Sequence, residues 1–294
     1  MCMKKVLLFL CCMMYCSSCS VDFDSKVDIE SESECIVVNA CLQPDSLITI
    51  HLYANVIEGN RSKVIPLKRA HIVLKENENI LYDGVSDSIL RLNINPKAGE
   101  KYFLEVIHAD YPSATAETRI PMEVYCDVLF ENRLFNLSNF VFSETDVPVW
   151  ITAMAIFSDT TPIQYGELYT NNLLVDNVNR NEGGMIMHDE VGSGYHDSFL
   201  RIKGKHIPKQ TEVIFYPMLS RSIIWENFLG REVRLIAASK EYDQYCKTYY
   251  QLMSSPVSSD LSSILYQPVN VYSNIEGGLG IFAGKSEASF FIEQ

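Results

Sequence analysis

The stretch Tyr102-Phe103-Leu104-Glu105-Val106-Ile107-His108 decides how the chain is to be read. Leu104 and Val106 alternate with Phe103 and Glu105, so one side of an extended segment is apolar, as a strand with one buried face requires. A turn precedes it at Pro96-Lys97-Ala98-Gly99, and similar short segments repeat on either side. They are Ile36-Val37-Val38, Leu47 to Tyr53, His71 to Leu74, Ile89 to Ile94 and Ala114 to Ile120. Turn signals separate them at Gln43-Pro44-Asp45, Glu58-Gly59-Asn60, Asp83-Gly84 and Tyr111-Pro112. Six or seven strands between Cys35 and Pro121, spaced by about 10 residues, predict a small antiparallel sandwich.

A second β-rich region follows Ile120-Pro121 and is expected to fill residues 122–294. Its strand candidates are Val124 to Phe130, Val149 to Phe157, Tyr165 to Tyr169, Phe199 to Ile202, Glu212 to Leu219, Glu232 to Ala237 and Ala288 to Ile292. Between Asp176 and Asp197, Gly183, Gly184, Gly192 and Gly194 stand among few apolar residues, which predicts a long exposed excursion. One helix interrupts the strands. Apolar positions 242, 245, 246, 249 and 253 share a helical face, Ser239 is an N-cap, and Glu241 and Asp243 sit near the positive end of the helix dipole. The helix should end before Pro256, and its tyrosine stripe reads as a packing face rather than a ligand platform.

The chain has 294 residues, 47% of them hydrophobic and 21% charged, which suits a core-forming protein and a length of about two domains. Its net charge of −13 repels phosphate backbones and anionic headgroups, so nucleic-acid binding and electrostatic membrane docking are poor hypotheses. At the N-terminus Lys4 and Lys5 precede an apolar run from Val6 to Tyr15, too short to span a bilayer and the length of a signal-peptide core. The run closes in Ser17-Ser18-Cys19, which resembles a bacterial lipobox although Cys16 stands where Leu is usual. Residues 1–18 are then a lipoprotein signal peptide, and Cys19 is the lipidated first mature residue. An ordinary cleaved secretory signal is the plainer alternative. Losing Lys4 and Lys5 takes the charge from −13 to −15, so acyl chains on Cys19, rather than charge, would hold the protein to outer-membrane lipid.

Residues 19–34 form an acidic tether carrying Asp22, Asp24, Asp28, Glu30, Glu32 and Glu34. It resembles the export tag that sends Bacteroides-type lipoproteins to the cell exterior, and reads equally as an extended, self-repelling linker. Cys35, Cys41, Cys126 and Cys246 remain in the mature chain. In an oxidising envelope they could pair in three ways. Cys35 and Cys41 cannot pair with each other if the strand between them is extended, because they then lie about 20 Å apart. Buried free thiols are the default expectation.

Towards the C-terminus, Gln267-Pro268-Val269-Asn270-Val271-Tyr272-Ser273-Asn274-Ile275-Glu276-Gly277-Gly278-Leu279-Gly280-Ile281-Phe282 follows the tyrosine-rich helix. With Gly99-Glu100-Lys101-Tyr102 and Ala114 to Pro121, this text resembles the Bacteroides-type lipoprotein family known as domain of unknown function 4249. The signature positions are Pro268, Asn270, Asn274, Glu276, Gly277, Gly278 and Gly280. The resemblance implies an N-terminal immunoglobulin-like or transthyretin-like sandwich joined to a second β-rich domain. It also implies an accessory role beside a TonB-dependent outer-membrane receptor in nutrient capture, and it supplies no catalytic residues. Physically, Asn274 to Phe282 reads as a tight turn or bulge feeding a strand. Gly278-Leu279-Gly280 begins a phosphate-loop-like pattern, but no helix follows it.

Catalytic motifs are scarce. Val191-Gly192-Ser193-Gly194-Tyr195 fails the serine-hydrolase elbow at its first position, and no HExxH, phosphate loop or EF-hand occurs. The expectation is therefore no enzyme and no cofactor. The one polar constellation is His188 and His196 with Asp189 or Asp197, where Met185 and Met187 could add soft ligands for copper or haem iron. The plain reading is a pair of solvated histidines. Trp150, Trp225, Tyr216 and Phe228 read as core or interface residues before they read as a ligand platform. The favoured function is a surface lipoprotein that binds a ligand for, or is an accessory to, a TonB-dependent transporter. The alternatives are a structural or adhesive envelope protein and a metal or haem capture protein.

Overall fold

Eight strands cover the first part of the chain: β1 (Cys35–Leu42), β2 (Thr49–Glu58), β3 (Arg61–Pro66), β4 (Ala70–Glu76), β5 (Asn79–Ser86), β6 (Ile89–Arg91), β7 (Lys101–Ile107) and β8 (Ala114–Arg119). The computed structural model describes residues 33–59, 61–131, 134–144, 146–158, 163–164, 175–177, 200–202, 213–215, 227–253 and 271–293. Two of the eight strands, β3 and β5, are additions to the sequence reading. Asp83-Gly84, expected as a turn, lies inside β5. The cause is position: β5 pairs only with β4 at the edge of its sheet and has no fully buried residue, so no apolar alternation marks it. β3, which ends in Pro66, is likewise an edge strand.

The second part contributes β9 (Val124–Glu131), β10 (Leu134–Phe142), β11 (Val149–Phe157), β12 (Ile163–Gln164), β13 (Val175–Asn177), β14 (Leu200–Ile202), β15 (Val213–Phe215) and β16 (Phe228–Ala238). The helix α1 (Lys240–Met253) and the long strand β17 (Gly278–Glu293) complete it. β10 escapes a period-two reading because its register with β9 shifts between Ser138 and Val141, where Asn139 has φ +52°. Phe135 and Leu137 are therefore buried on one side of the irregularity and Phe140 on the other.

The protein is mainly β, with three sheets and one helix among the described residues. One 10-stranded sheet runs β13-β14-β11-β16-β17-β1-β2-β3, with β12 on β11 and β6 on β2. A four-stranded sheet, β5-β4-β7-β8, and a three-stranded sheet, β15-β10-β9, pack against it. The first core joins Ile36, Val38, Ile50 and Leu52 of the large sheet to Ile72, Leu74, Leu104 and Val106 of the four-stranded sheet. The second joins Val149, Ile151, Val233 and Leu235 to Val124, Phe135 and Leu137 of the three-stranded sheet. The large sheet thus forms one layer of both sandwiches.

Strand β17 crosses the expected boundary at 121/122. Its first half pairs parallel with β1, from Ile36↔Gly278 to Leu42↔Gly284, and sends Phe282 into the first core. Its second half pairs antiparallel with β16, from Gly230↔Glu293 to Ala238↔Lys285, and packs Phe290 and Ile292 on the second core. Alternation at period two keeps Phe282, Phe290 and Ile292 on one side of the strand, so a single strand serves both cores. Residues 34–294 accordingly form one compact unit.

A buried polar clamp fixes the turn before β7. The Tyr102 hydroxyl donates to Glu76 Oε1 (2.7 Å) and accepts from Lys97 N (2.7 Å), while Lys97 Nζ reaches Glu76 Oε2 (2.8 Å). These donors hold the Glu76 carboxyl below its ordinary value of 4.5, the Lys97 ammonium first, the phenol second. Because the folded value is the lower one, the clamp's contribution is complete above the unfolded pKa and is lost as pH falls through the folded value. Glu76→Gln should cost about 1–3 kcal/mol at neutral pH and flatten the acid limb of stability. Urea midpoints of the two proteins measured from pH 7 down to pH 3 check this; parallel curves would contradict it.

Candidate functional site

Helix α1 begins where the two sandwiches meet, and its first turn is tied to both. The amide of Tyr242 donates to Ser239 Oγ (3.1 Å), the N-cap bond that leaves one fewer unsatisfied helix N–H. The same oxygen accepts from Gly284 N of β17 (3.3 Å), and Ser239 N donates to Gly284 O (2.9 Å). From β8, the Thr118 hydroxyl donates to Glu241 Oε2 (3.0 Å) and lies 3.4 Å from Ser239 Oγ. A short polar text, Ser239 to Asp243, therefore positions the helix against β8 and β17 at once.

On the other flank of that turn, Asp243 receives a bidentate pair from Arg201 of β14, Nε to Oδ1 at 2.6 Å and Nη2 to Oδ2 at 2.8 Å. Trp150 Nε1 adds a third bond to Oδ1 (3.0 Å). Both charged side chains are buried, so the planar fork and the indole N–H satisfy a carboxylate that water cannot reach. Below it Tyr242, Cys246 and Tyr250 pack on Trp150, Ile236 and Ala238. The packing face is thus 242, 246 and 250, with Trp150 and Tyr250 stacked at 5.8 Å, while Tyr249 is exposed. Burial raises the Tyr242 phenol well above its ordinary value and pushes the Cys246 thiol up to about 12.

A cavity of about 790 Å³ opens beside this turn. Its walls come from the β4–β5 turn, the start of β7, β8, Glu144, Asp146, Val147, Pro148 and the first turn of α1. The lining combines apolar surface from Phe103, Pro121, Val147 and Pro148 with polar groups of both charges. Arg119 binds Glu144 Oε2 through Nη1 (2.7 Å) and Gly99 O through Nε (2.9 Å), while Glu144 Oε1 is buried with no hydrogen-bonding partner. Lys101, Lys240, Asn77 and Gln244 supply donors, and Glu78 and Glu117 supply acceptors. Volume and lining suit a small amphipathic solute, packed on the apolar walls and oriented by hydrogen bonds. Among the described residues no group of three or more metal-ligating side chains is brought together.

The described signature residues, Asn274 to Gly280, lie along β8 and the entry of β17. Asn274 Nδ2 donates to Phe282 O (2.8 Å) and Glu117 O (3.2 Å), and Asn274 Oδ1 accepts from Phe282 N (3.0 Å). Glu276 exchanges both backbone bonds with Thr115 of β8, at 2.8 and 2.9 Å. Gly280 has φ +108°, and a Cβ there would lie 2.0 Å from Val38 O; Gly277 has φ +75° and would bring its Cβ to 2.2 Å from Ser113 O. Gly278 likewise passes close to Ile36 O. These residues bind backbone rather than face the cavity; what they hold is the entry of β17 onto β1 and β8.

Pro268, Asn270, Cys19, His188 and His196 lie outside the described residues, as do Trp225 and Tyr216. Trp150 and Phe228 are buried in packing positions. Cys35 and Cys126 are buried, Cys246 is half-buried and Cys41 is exposed, and no disulfide joins Cys41, Cys126 and Cys246. The sequence reading did not find Arg201, Thr118 or the cavity, because their partners are distant in the chain. The only local signal was an arginine in the apolar triplet Leu200-Arg201-Ile202, whose three residues are all buried.

Among the described residues the protein is thus a mainly β scaffold, with a shared sheet bearing two sandwiches and a cavity beside its capped helix. The model of the family described as Domain of unknown function (DUF4249) matches residues 22–290, and the chain belongs to that family. None of the curated proteins compared with it matches.

Asp243→Ala would remove the carboxylate that the buried Arg201 fork binds through Nε and Nη2, at an expected cost of about 3–5 kcal/mol. Ser239→Ala, which removes only the cap acceptor, should cost about 1 kcal/mol. Urea denaturation followed by tryptophan fluorescence, to which Trp150 contributes, ranks the two; equal costs would contradict the account of the ion pair.

Proposed function

We propose that the protein is a surface-exposed outer-membrane lipoprotein that serves as a ligand-binding or accessory subunit of a TonB-dependent nutrient transporter. On this reading residues 1–18 are removed as a signal peptide, Cys19 carries the acyl chains, and residues 19–34 tether the folded part to the membrane. Two acylation signals or more hold a protein stably in a bilayer, which a chain with a strong negative charge needs. No helix among the described residues is long and apolar enough to cross a membrane, and lipidation would supply the attachment.

The cavity carries the binding half of the proposal. It gathers side chains from both sandwiches and from the helix cap, and its size falls in the range of small-molecule sites, roughly 300–1,000 Å³. Asn77, Lys101, Lys240 and Gln244 in its lining supply donors, and Glu78 and Glu117 supply acceptors, for a bound solute. The role proposed is capture rather than turnover. The transporter half rests on the accessory role that resemblance to this family implies.

Purification of the tagged, full-length protein from native outer membranes in mild detergent tests the proposal. A TonB-dependent barrel is expected in the eluate by mass spectrometry, and Cys19→Ala should release the protein from the membrane and lose the barrel. Recovery of the wild-type lipoprotein alone would refute the accessory role, and a Cys19→Ala protein that stays in the membrane would refute the anchor.

A further inference from the structure

We propose that β17 is a latch that closes both sandwiches in one step, so that neither is stable until the C-terminal strand has docked. Without β17, β1 keeps only β2 as a partner and becomes a sheet edge, while β16 keeps only β11. Phe282 leaves the first core in the same event in which Phe290 and Ile292 leave the second. The helix loses one of its anchors as well, because Ser239 is bonded to Gly284 through both backbone and side chain.

Two features make the docking all-or-none. Ile36 and Gly278, partners in the parallel register, stand near opposite ends of the chain, so the loop between them must close before their ladder forms. Gly280 and Gly277 then bring the strand against Val38 O and Ser113 O at distances no side chain permits, which fixes a single register. A slip by one residue would place Leu279 or Ile281 against that carbonyl and turn Phe282 out of the core. On the exported-lipoprotein reading above, the chain also stays unfolded enough to thread a membrane channel until its last strand has crossed.

Pulsed alkylation of the detergent-solubilised full-length protein in a urea series tests the latch independently of that reading. Cys35 on β1 and Cys126 on β9 are both buried, and burial pushes the Cys126 thiol up to about 12, so both are silent while folded. Peptide mass spectrometry reads them separately. One common midpoint is expected for the two cysteines, and Gly280→Val, which touches only the β1 side of the strand, should lower both midpoints by the same amount. Two separate midpoints in the wild type, or a Gly280→Val protein in which Cys126 keeps the wild-type midpoint, would overturn the proposal. If Gly280→Val is not recovered folded, Phe282→Ala leaves the backbone unobstructed and is read by the same criterion.

Discussion

The parallel ladder between β1 and β17 is the interaction on which the rest of the structure depends. Most of the pairing in the molecule is antiparallel and joins segments near in sequence, such as β4 with β5 or β9 with β10. The β1–β17 ladder joins the two ends of the folded chain. It converts what would be two separate small sandwiches into two halves of one sheet. Parallel neighbours need a long crossover between them, and here nearly the whole folded chain is that crossover.

The signature text is the physical requirement of that ladder written as residues. Asn274 uses its amide as a surrogate backbone, satisfying both polar groups of Phe282 where the bulged entry would otherwise leave them unpaired. Glycine at 280 and 277 lets two strands approach closer than any Cβ allows. Glu276 contributes main-chain bonds to β8. Such residues would be constrained by the fold whatever the protein binds.

The helix cap links this architecture to the cavity. Ser239 bonds to Gly284 of the latch strand, Glu241 to Thr118 of the first sandwich, and Asp243 to Arg201 of the second half of the large sheet. Within five residues the helix is thereby tied to three strands, and the cavity wall beside it is held rigidly. A charged pair as deep as Arg201 with Asp243 adds little net stability over an apolar replacement, but it admits only one orientation of the helix.

Much of this was legible in the sequence. The mainly β class, the helix from position 240, its Ser239 cap, the strand at Val149 to Phe157 and the family itself were all readable, because local periodicity, capping chemistry and short motifs report on neighbours a few residues away. The edge strand Asn79–Ser86 was not, since a strand with both faces half-exposed has no apolar alternation, nor was Leu134–Phe142, whose bulge breaks the period. Tyr249 and Tyr250 are adjacent tyrosines in one helix, and only packing against Trp150 decides which of them faces the sheet. The sequence by itself determined the elements, whose causes are local. Only the tertiary structure decided that Phe282 belongs to the first core, that Arg201 answers Asp243, and that a cavity lies between β8 and α1. Those facts depend on contacts between residues far apart in the chain, and they form only when the last strand finds the first.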